Sequence, residues 1–457
     1  MNNETGKRSS FSGKIGFVLA AAGASVGLGN IWRFPYLAAK YGGGIFLLVY
    51  IILALTFGYS MIVAETALGR ITGKSPVGAY KSFGKEKWLS FGGWINAIVP
   101  LLIVPYYSVI GGWVIKYLIE YVTGNGSALA VDGYFSEFIS DGASAEICFL
   151  IFAGLTIAII IAGVQNGIER VSKVMMPILI ILSIIIAIYS VTRPGAMSGV
   201  KYLLVPNFSN FSLMTVVSAM GQMFYSLSIA MGILVTFGSY MKKDISIEDS
   251  TRNVEIFDTG IALMAGFMVI PAIFAFSGGD PDILAAGPSL MFITIPKVFD
   301  SMGLGTIVGS LFFLLVFFAA ITSSIALTES AVSTFQDELG LSRIKATILA
   351  GVIMLILGTL SSLGYGPLGN VTILGMQFLD FFDFLTNSVM MPIAAFATCI
   401  LVSKKIGFDR IEEEVMLGES RFRRKKIFNF MIKYLCPIFA VIILVSSVAN
   451  AFGWISM

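Results

Sequence analysis

The chain carries the stretch GASVGLGNIWRFP at residues 23–35, inside an apolar run long enough to cross a lipid bilayer. Three glycines within seven residues weaken a helix by about 1 kcal/mol each relative to alanine. Asn30 and Arg33 add polar groups that are costly at membrane depth unless they have partners. Non-helical backbone is tolerated there only where it is buried in protein or lines a cavity. We therefore predict a broken helix that serves an ion or zwitterion site, with a glycine-rich packing face as the alternative.

The composition restricts the class of protein before any other motif is considered. Of the 457 residues, 56% are hydrophobic and only 12% are charged, whereas soluble domains carry about 25% charged residues. The sequence therefore predicts an all-α polytopic membrane protein embedded in a lipid bilayer. The net charge of +3 gives no reason to expect a nucleic-acid partner, and the chain has no histidine, the commonest general base and zinc ligand. The three cysteines lie in apolar runs without metal-ligand spacing, which is typical of buried thiols.

Apolar runs of about 20 residues predict eleven transmembrane helices in one domain that covers residues 1–457. The runs are residues 15–39, 44–69, 91–122, 147–163, 171–191, 212–240, 254–276, 305–336, 343–361, 373–402 and 429–454. Lysine and arginine favour the cytoplasmic side, and we expect residues 1–14 to lie there. This orientation leaves six of the 30 basic residues outside, namely Arg33, Lys40, Lys116, Arg193, Lys201 and Lys297. Because the number of spans is odd, the C-terminus is predicted to lie outside.

A second interruption lies in the sixth span, where YSLSIAMG at residues 225–232 places polar and small residues in an apolar helix. Interruptions five spans apart indicate an inverted repeat. We expect residues 15–191 to form the first copy, 212–402 the second, and 429–454 an additional helix. In this five-plus-five architecture, helices 1 and 6 are unwound at the bilayer midplane. Five is odd, so the second copy enters the membrane from the opposite side, and that geometry permits alternating access.

Oxygen atoms near the first interruption suit a cation. The carbonyls of Gly23, Ser25 and Val26 and the side chain of Asn30 offer hard ligands for a group 1 ion. The amides of residues 28–29 would face a substrate carboxylate from the N-terminus of a half-helix, whose positive dipole end favours anions.

Two further motifs are candidates for the same site. In the eighth span, Thr322 and Ser323 with the Ala319 carbonyl would make a second oxygen site, although helical hydroxyls also bond back to the carbonyl four residues earlier. In the third span, Tyr107 could donate its hydroxyl to a carboxylate or could be an aromatic core residue.

Five acidic residues fall inside apolar spans, where an ionisable group is a functional candidate by default. They are Glu65, Asp258, Glu329, Asp380 and Asp383. Asp383 is expected at a depth where it could meet Arg33, and a pair of opposite charges that forms and breaks would serve as a gate. For each acid, a permanent structural ion pair is the alternative.

Together these residues resemble the signature of the neurotransmitter:sodium symporters. The resemblance rests on AAAGASVGLGNIWRFPY at 20–36, GGG at 42–44, ETALGR at 65–70, GQMFYSLS at 221–228 and TSS at 322–324. These motifs occur in the order of the family, and the similarity covers nearly the whole chain. It is strongest to the bacterial amino-acid members, several of which have eleven spans, and implies a location in the bacterial inner membrane. We expect a monomer or a weak homodimer.

The resemblance implies two sodium sites. The first would comprise the substrate carboxylate with Ser25, Asn30, Ser226 and Asp258. The second would comprise the carbonyls of Gly23, Val26 and Ala319 and the hydroxyls of Thr322 and Ser323.

The resemblance also implies a substrate site and two gates. The substrate would lie among Ala24, Ser25, Leu28, Gly29, Ile103, Tyr107, Tyr225, Ser226, Ser228, Met231, Ser323 and Leu327. Its carboxylate would meet the Leu28 and Gly29 amides and the Tyr107 hydroxyl. The outer gate would be Arg33 with Asp383, and the inner gate Arg8 with Asp337. Gly167 and Pro177 match a motif associated with partial unwinding of the fifth helix.

Three positions depart from the pattern of the family. Phe11 replaces a tryptophan near the inner gate, and Met231 replaces an aromatic residue that is frequent in leucine-type relatives. Methionine is flexible and polarizable, so the pocket could admit a larger side chain. Asp258 stands where many relatives have asparagine. A fixed carboxylate beside the first sodium ion would replace a balancing chloride, which predicts chloride-independent transport, and it could take up a proton on the return step.

The sequence therefore predicts a secondary active symporter that imports a neutral L-amino acid with two sodium ions and without chloride. A large hydrophobic or aromatic side chain is expected. The alternative is a proton-coupled amino-acid transporter of the same architecture. An ion channel would build its filter from several subunits, and a membrane enzyme would need a cluster of nucleophile and base that this histidine-free chain does not offer.

Overall fold

The computed structural model describes residues 10–278 and 289–455. Within these ranges the chain is almost entirely helical and forms no strand, only two isolated bridges. In chain order the helices are α1 Lys14–Ser25, α2 Gly29–Lys40, α3 Gly44–Thr72, α4 Pro76–Lys81, α5 Lys87–Val122, α6 Tyr134–Ser140, α7 Gly142–Ile161, α8 Val164–Val191, α9 Ala196–Leu204, α10 Leu213–Ser226, α11 Ile233–Ser239, α12 Ile247–Ser277, α13 Ile295–Asp300, α14 Gly305–Leu339, α15 Arg343–Leu363, α16 Phe378–Ile406, α17 Phe408–Met416 and α18 Lys425–Ala451. The predicted all-α class is confirmed.

The first predicted span consists of α1 and α2, which meet at an angle of 54°. Between them Val26 is extended, with φ −74° and ψ 96°. The helix restarts as a π-helical turn at Gly29–Arg33. The break therefore coincides with the glycine-rich stretch.

The sixth predicted span is also divided, because residues 227–232 separate α10 from α11. Ser228, Ala230 and Gly232 have φ values of 54°, 59° and 67°. Left-handed backbone is unfavourable for serine and alanine and persists only where neighbouring groups hold it.

Nine helices in the described ranges are long and apolar enough to cross a membrane, and α1 with α2 makes a tenth if the bent pair is one span. Neither α10 nor α11 reaches that length alone. The count of eleven is reached when α10 and α11 are taken together as one span, and it stays a prediction, as do the inverted repeat and its boundaries.

Helices at the centre of the bundle differ from those at its edge. In the most apolar 18-residue segment of each helix, the buried share is 83% in α5 and 78% in α14, but only 28% in α18. The helices α5 and α14 pack along each other, and α1 packs against α8, α12 and α14. The first break is thus surrounded by protein, which satisfies the condition for non-helical backbone at membrane depth.

Candidate functional site

One cavity lies between the two breaks. It contains about 340 Å³ of space not occupied by atoms, part of which is open to solvent. Its lining residues are Ala24, Ser25, Gly27, Leu28, Gly29, Asn30, Ile103, Tyr107, Tyr225, Ser226, Ser228, Met231, Ser323 and Leu327. All of the residues that the resemblance assigns to the substrate are in this set, and Gly27 and Asn30 are additional members.

The backbone of the first break exchanges helical hydrogen bonds for bonds to side chains. The Gly27 amide donates to Asn30 Oδ1 at 3.0 Å, and the Leu28 amide donates to the Tyr107 hydroxyl at 3.3 Å. In an unbroken helix these amides would bond to the carbonyls of Gly23 and Ala24. Those two carbonyls are consequently available to other partners.

Glycines at positions 27 and 29 allow neighbouring side chains to approach the backbone. A Cβ atom at Gly27 would lie 2.7 Å from Ser323 Oγ and 3.0 Å from the Tyr107 hydroxyl. A Cβ atom at Gly29 would lie 2.5 Å from the Tyr225 ring. The two glycines are thus required by close packing at the cavity as well as by the break.

The predicted second sodium ligands form a cluster of neutral oxygen atoms. The Ser323 hydroxyl lies within hydrogen-bonding distance of three carbonyls of the first break, those of Gly23 at 3.3 Å, Ala24 at 3.1 Å and Val26 at 3.4 Å. Thr322 Oγ1 lies 2.9 Å from the Phe318 carbonyl and 3.2 Å from the Ala319 carbonyl. The bond to Phe318 is the back-bond expected of a helical threonine. Ser323 instead reaches across to α1, so back-bonding does not account for it.

The predicted first sodium ligands centre on a buried carboxylate. Asn30 Nδ2 donates to Asp258 Oδ1 at 2.8 Å and to Ser226 Oγ at 2.9 Å. The Ser226 hydroxyl also donates to Asp258 Oδ1, at 2.8 Å. These groups are at most 1% exposed. Ser25 lines the same cavity, although its hydroxyl has no hydrogen-bond partner among the described residues.

Tyr50 completes this cluster and was missed by sequence reasoning. Its hydroxyl donates to Asp258 Oδ2 at 3.0 Å and lies 3.2 Å from Ser226 Oγ. The argument that a phenol inside a membrane needs a partner applies equally to Tyr50, but the sequence does not show that α3 turns this side chain toward Asp258.

The second break is held by two side chains. The Ala230 amide donates to Glu65 Oε1 at 2.8 Å, and the Ser228 hydroxyl donates to the Ala24 carbonyl at 3.0 Å. Glu65 is fully buried, and its other carboxylate oxygen has no partner within the described part of the chain. These bonds connect the left-handed residues to α3 and to the first break.

The two residues of the predicted outer gate have other partners in this structure. The Arg33 guanidinium lies over the Tyr225 ring, 5.4 Å from its centroid, and Asp383 Oδ1 accepts a hydrogen bond from Asn387 at 2.6 Å. The ion pairs formed by the described residues do not include Arg33 with Asp383. Arg8 lies outside the described residues, and Asp337 Oδ2 accepts from the Ser75 amide at 2.7 Å.

Two other acidic candidates lie in structural contacts. Glu329 forms an ion pair with Arg343 at 2.7 Å and accepts a hydrogen bond from the Tyr240 hydroxyl at 2.7 Å. Asp380 accepts from the Tyr365 hydroxyl at 3.1 Å. For Glu329 the alternative of a structural ion pair therefore describes the observed contact.

Residues near the predicted inner gate are closely packed. Phe11 is fully buried, with ring centroids 5.8 Å from Phe17, 5.4 Å from Phe237 and 6.1 Å from Tyr240. Phenylalanine thus fills the position of the usual tryptophan with edge-to-face contacts.

The two residues of the predicted unwinding motif lie in α8. Gly167 lies in the π-helical start of this helix, Val164–Glu169, and Pro177 lies further along it.

Comparison with known proteins identifies the chain. The model of the sodium:neurotransmitter symporter family matches residues 8–131 and 134–453. The chain belongs to the sodium:neurotransmitter symporter family. It is therefore a multi-pass, sodium-dependent membrane transporter and not an enzyme.

Two bacterial relatives of this symporter match along nearly their full length. An uncharacterised sodium-dependent transporter of Bacillus subtilis, YhdH, is 34% identical over 95% of this chain and 96% of its own length. An uncharacterised sodium-dependent transporter of Haemophilus influenzae is 32% identical over 98% of this chain and all of its own. Among solved structures, MhsT in complex with L-phenylalanine is 35% identical to this symporter, with a TM-score of 0.86. The structural alignment covers 96% of this symporter and 100% of MhsT.

Proposed function

We propose that this symporter carries a neutral L-amino acid with a large apolar or aromatic side chain into the cell together with two sodium ions. The observation that carries the proposal is that a single cavity adjoins both oxygen clusters and an apolar lining. The similarity to MhsT, whose structure was solved with L-phenylalanine, supports an amino acid of this class.

The lining of the cavity favours a substrate with an uncharged side chain. Ile103, Tyr225, Met231 and Leu327 form its apolar part, and the described lining includes no lysine, arginine, aspartate or glutamate. The substrate carboxylate would meet the amides of residues 28–29 and the Tyr107 hydroxyl. Met231 can adapt to side chains of different shape, which favours tryptophan, tyrosine or phenylalanine over leucine.

The two oxygen clusters would bind the two ions. Neutral carbonyl and hydroxyl oxygens around Ser323 suit a hard monovalent cation without adding charge. The cluster around Asp258 supplies a negative charge, to which the substrate carboxylate would add a second. In this structure Asn30 turns its amide nitrogen toward Asp258. A cation bound at Asp258 would repel the amide nitrogen of Asn30. It would favour the flipped side chain, in which the amide oxygen faces the ion. Each ion completes a site for the other components, so binding is coupled.

Transport would be independent of chloride. Asp258 already places a fixed carboxylate beside Ser226 and Tyr50, both of which lie within hydrogen-bonding distance of it, and an added anion would face electrostatic repulsion. We also propose that Asp258 takes up a proton on the return step, when the sodium ion has left. An uptake-dependent internal pH change that persists in Asp258→Asn would contradict this step.

The orientation proposed from the basic residues places the N-terminus in the cytoplasm and the C-terminus outside, in the inner membrane of a bacterium. The inward sodium gradient then drives uptake, and the membrane potential supplies about 2.3 kcal/mol per charge per 100 mV. One chain contains the whole cavity, so a monomer is sufficient for transport, and a weak homodimer is compatible with it.

The test is binding of labelled L-phenylalanine to the purified protein, with each of the twenty L-amino acids as competitor. We expect binding in sodium, no binding in potassium, and the strongest competition from aromatic and large apolar amino acids. Binding unchanged in potassium would contradict sodium coupling and favour the proton-coupled alternative. Uptake that stops when gluconate replaces chloride would contradict chloride independence.

A further inference from the structure

Asp383 is bound by an amide where the proposed gate would have it bound by a guanidinium. Asn387, one turn further along α16, donates from Nδ2 to Asp383 Oδ1 at 2.6 Å. The same nitrogen donates to the Tyr106 hydroxyl of α5 at 3.2 Å. Asn387 lies in a π-helical stretch, Phe384–Met390, and single π-helical turns inside α-helices are frequent at functional sites.

Arg33 has a separate partner in the cavity lining, Tyr225. Its guanidinium lies over the Tyr225 ring at 5.4 Å, a favourable cation–π position. No ion pair within 4.0 Å joins Arg33 to Asp383 among residues 10–278 and 289–455. Each charged group of the gate thus contacts a neutral partner in this structure.

The orientation of the Asn387 amide is determined by its surroundings. If the amide were turned over, its oxygen would face the Asp383 carboxylate, and two acceptors cannot form a hydrogen bond. In the observed orientation Asn387 Oδ1 is buried and has no partner in the described part of the chain. An unpaired buried oxygen is costly. The hydrogen bond that Asn387 Nδ2 donates to the Asp383 carboxylate offsets this cost.

We propose that Asn387 is a positioning residue of the outer gate, which holds Asp383 in the observed arrangement, without an ion pair to Arg33. This inference rests on the proposed function, in which Arg33 and Asp383 form the gate. A hydrogen bond to a charged group is strong enough to compete with a partly solvated ion pair. Closure then requires exchange of one Asp383 partner for another, and the amide sets the balance between the two arrangements.

The test measures access to the cavity without a substrate. A cysteine introduced by Ile103→Cys lies in the cavity lining, and its reaction rate with a small methanethiosulfonate reagent reports how far the mouth is open. The native Cys148, Cys399 and Cys436 are buried, and the protein without the Ile103 change gives their background. The measurement uses the purified full chain in sodium buffer.

In this background, Asn387→Ala frees Asp383 for Arg33, so we expect labelling to slow by about tenfold, the effect of one hydrogen bond to a charged group. Asn387→Ser, which keeps a donor, should restore part of the rate. In Asp383→Asn the ion pair cannot form, and there Asn387→Ala should leave the rate unchanged. Thr386→Val, which removes the hydroxyl 3.4 Å from the Tyr106 hydroxyl, is the matched control and should not slow labelling.

Equal slowing by Asn387→Ala in both backgrounds would mean a structural effect and would overturn the proposal, as would no slowing in either. If Asp383→Asn itself does not open the cavity to the reagent, the gate assigned to Arg33 and Asp383 is wrong, and the inference fails with it. Failure of the proposed substrate or ion coupling is recognised separately, because it appears in the amino-acid binding assay and leaves the labelling cycle unaffected.

Discussion

The two ends of the bundle that flank the cavity are held by different kinds of interaction. At the end that holds Phe11, charges meet charges: Glu329 pairs with Arg343 at 2.7 Å, and Glu169 pairs with Lys173 at 2.6 Å. At the end that holds Asp383, the two gate charges lie on a neutral amide and an aromatic ring. A hydrogen bond to a carboxylate contributes about 1.5–3 kcal/mol and an exposed cation–π contact about 0.5–1 kcal/mol, whereas breaking a buried ion pair costs about 3–5 kcal/mol. The buried Glu329–Arg343 pair therefore locks the Phe11 end, and the contacts at the Asp383 end are easier to exchange.

Further contacts of the Phe11 end extend this difference. The Glu169 carboxylate also accepts from the Ser12 amide at 2.9 Å and from the Ser12 hydroxyl. Away from the cavity, Arg70 of α3 pairs with Glu414 of α17 at 2.6 Å and donates to the Ile245 carbonyl at 2.5 Å. One arginine thus joins three separate segments. In the proposed orientation, this is the cytoplasmic end.

The largest effect is expected from breaking a charge pair at the locked end. Glu329→Gln leaves Arg343 buried without its counter-charge, because Glu329 is fully buried and the Arg343 side chain is only 19% exposed. We expect a loss of about 3–5 kcal/mol in the free energy of unfolding, measured by thermal unfolding in detergent. Replacing both residues, with Glu329→Gln and Arg343→Met, should recover part of the loss. Equal stability of the single variant and the wild type would show that this end is not locked by the pair.

A change at the other end should cost function and spare stability. Asp383→Asn keeps the size of the side chain but removes the charge that Arg33 would meet, so we expect uptake into proteoliposomes to fall by at least about tenfold. The free energy of unfolding should change by about 0.5 kcal/mol or less, as for substitutions outside tightly packed contacts. A stability loss as large as that of Glu329→Gln would remove the distinction between the two ends.

A neutral bond at the locked end tests whether charge is the decisive difference. Gln165 at the start of α8 donates to the Ser10 carbonyl at 2.7 Å in an exposed position. We expect Gln165→Ala to cost about 0.5 kcal/mol and to speed amide hydrogen exchange of residues 10–16 by about twofold. A loss of several kcal/mol would mean that neutral contacts also lock this end.

The smallest effect is expected for an exposed pair near the Asp383 end, between Lys297 of α13 and Asp132 of the loop before α6. The hydrogen bond from Lys297, together with its positive charge, holds the pKa of Asp132 below its ordinary value. A depressed carboxyl pKa stabilises the folded state above the ordinary pKa, about 3.9, and this contribution is lost as the pH falls through the folded pKa. Because the Asp132 side chain is 90% exposed, solvent screens the pair. Lys297→Met should leave thermal unfolding unchanged between pH 5 and 8, and a pH-dependent loss there would contradict this expectation.

Much of the site was predictable because its signals are local. The glycines at 23–29 disfavour a helix wherever they stand, and the polar residues in an apolar span require partners. The residues assigned to the substrate all line one cavity, although their individual roles stay proposals. Tyr50, Asn387 and the contact between Glu65 and the second break were not predicted. Each of these depends on the direction in which a long apolar helix turns one side chain, and the sequence of such a helix has little periodicity to indicate it.

The sequence by itself determined the class of the protein, its family motifs and the two places where helices are interrupted, since composition, span length and glycine content act locally. The tertiary structure alone decided which distant side chains contact the two interruptions. Asn30 and Asp258 are 228 positions apart, and Ser323 is 300 positions from the carbonyl of Gly23. Whether such groups meet depends on the rotation and packing of several helices at once, and so does the separation of Arg33 from Asp383. The sequence of residues 23–35 shows that its polar groups need partners, and the packing of the other helices provides those partners.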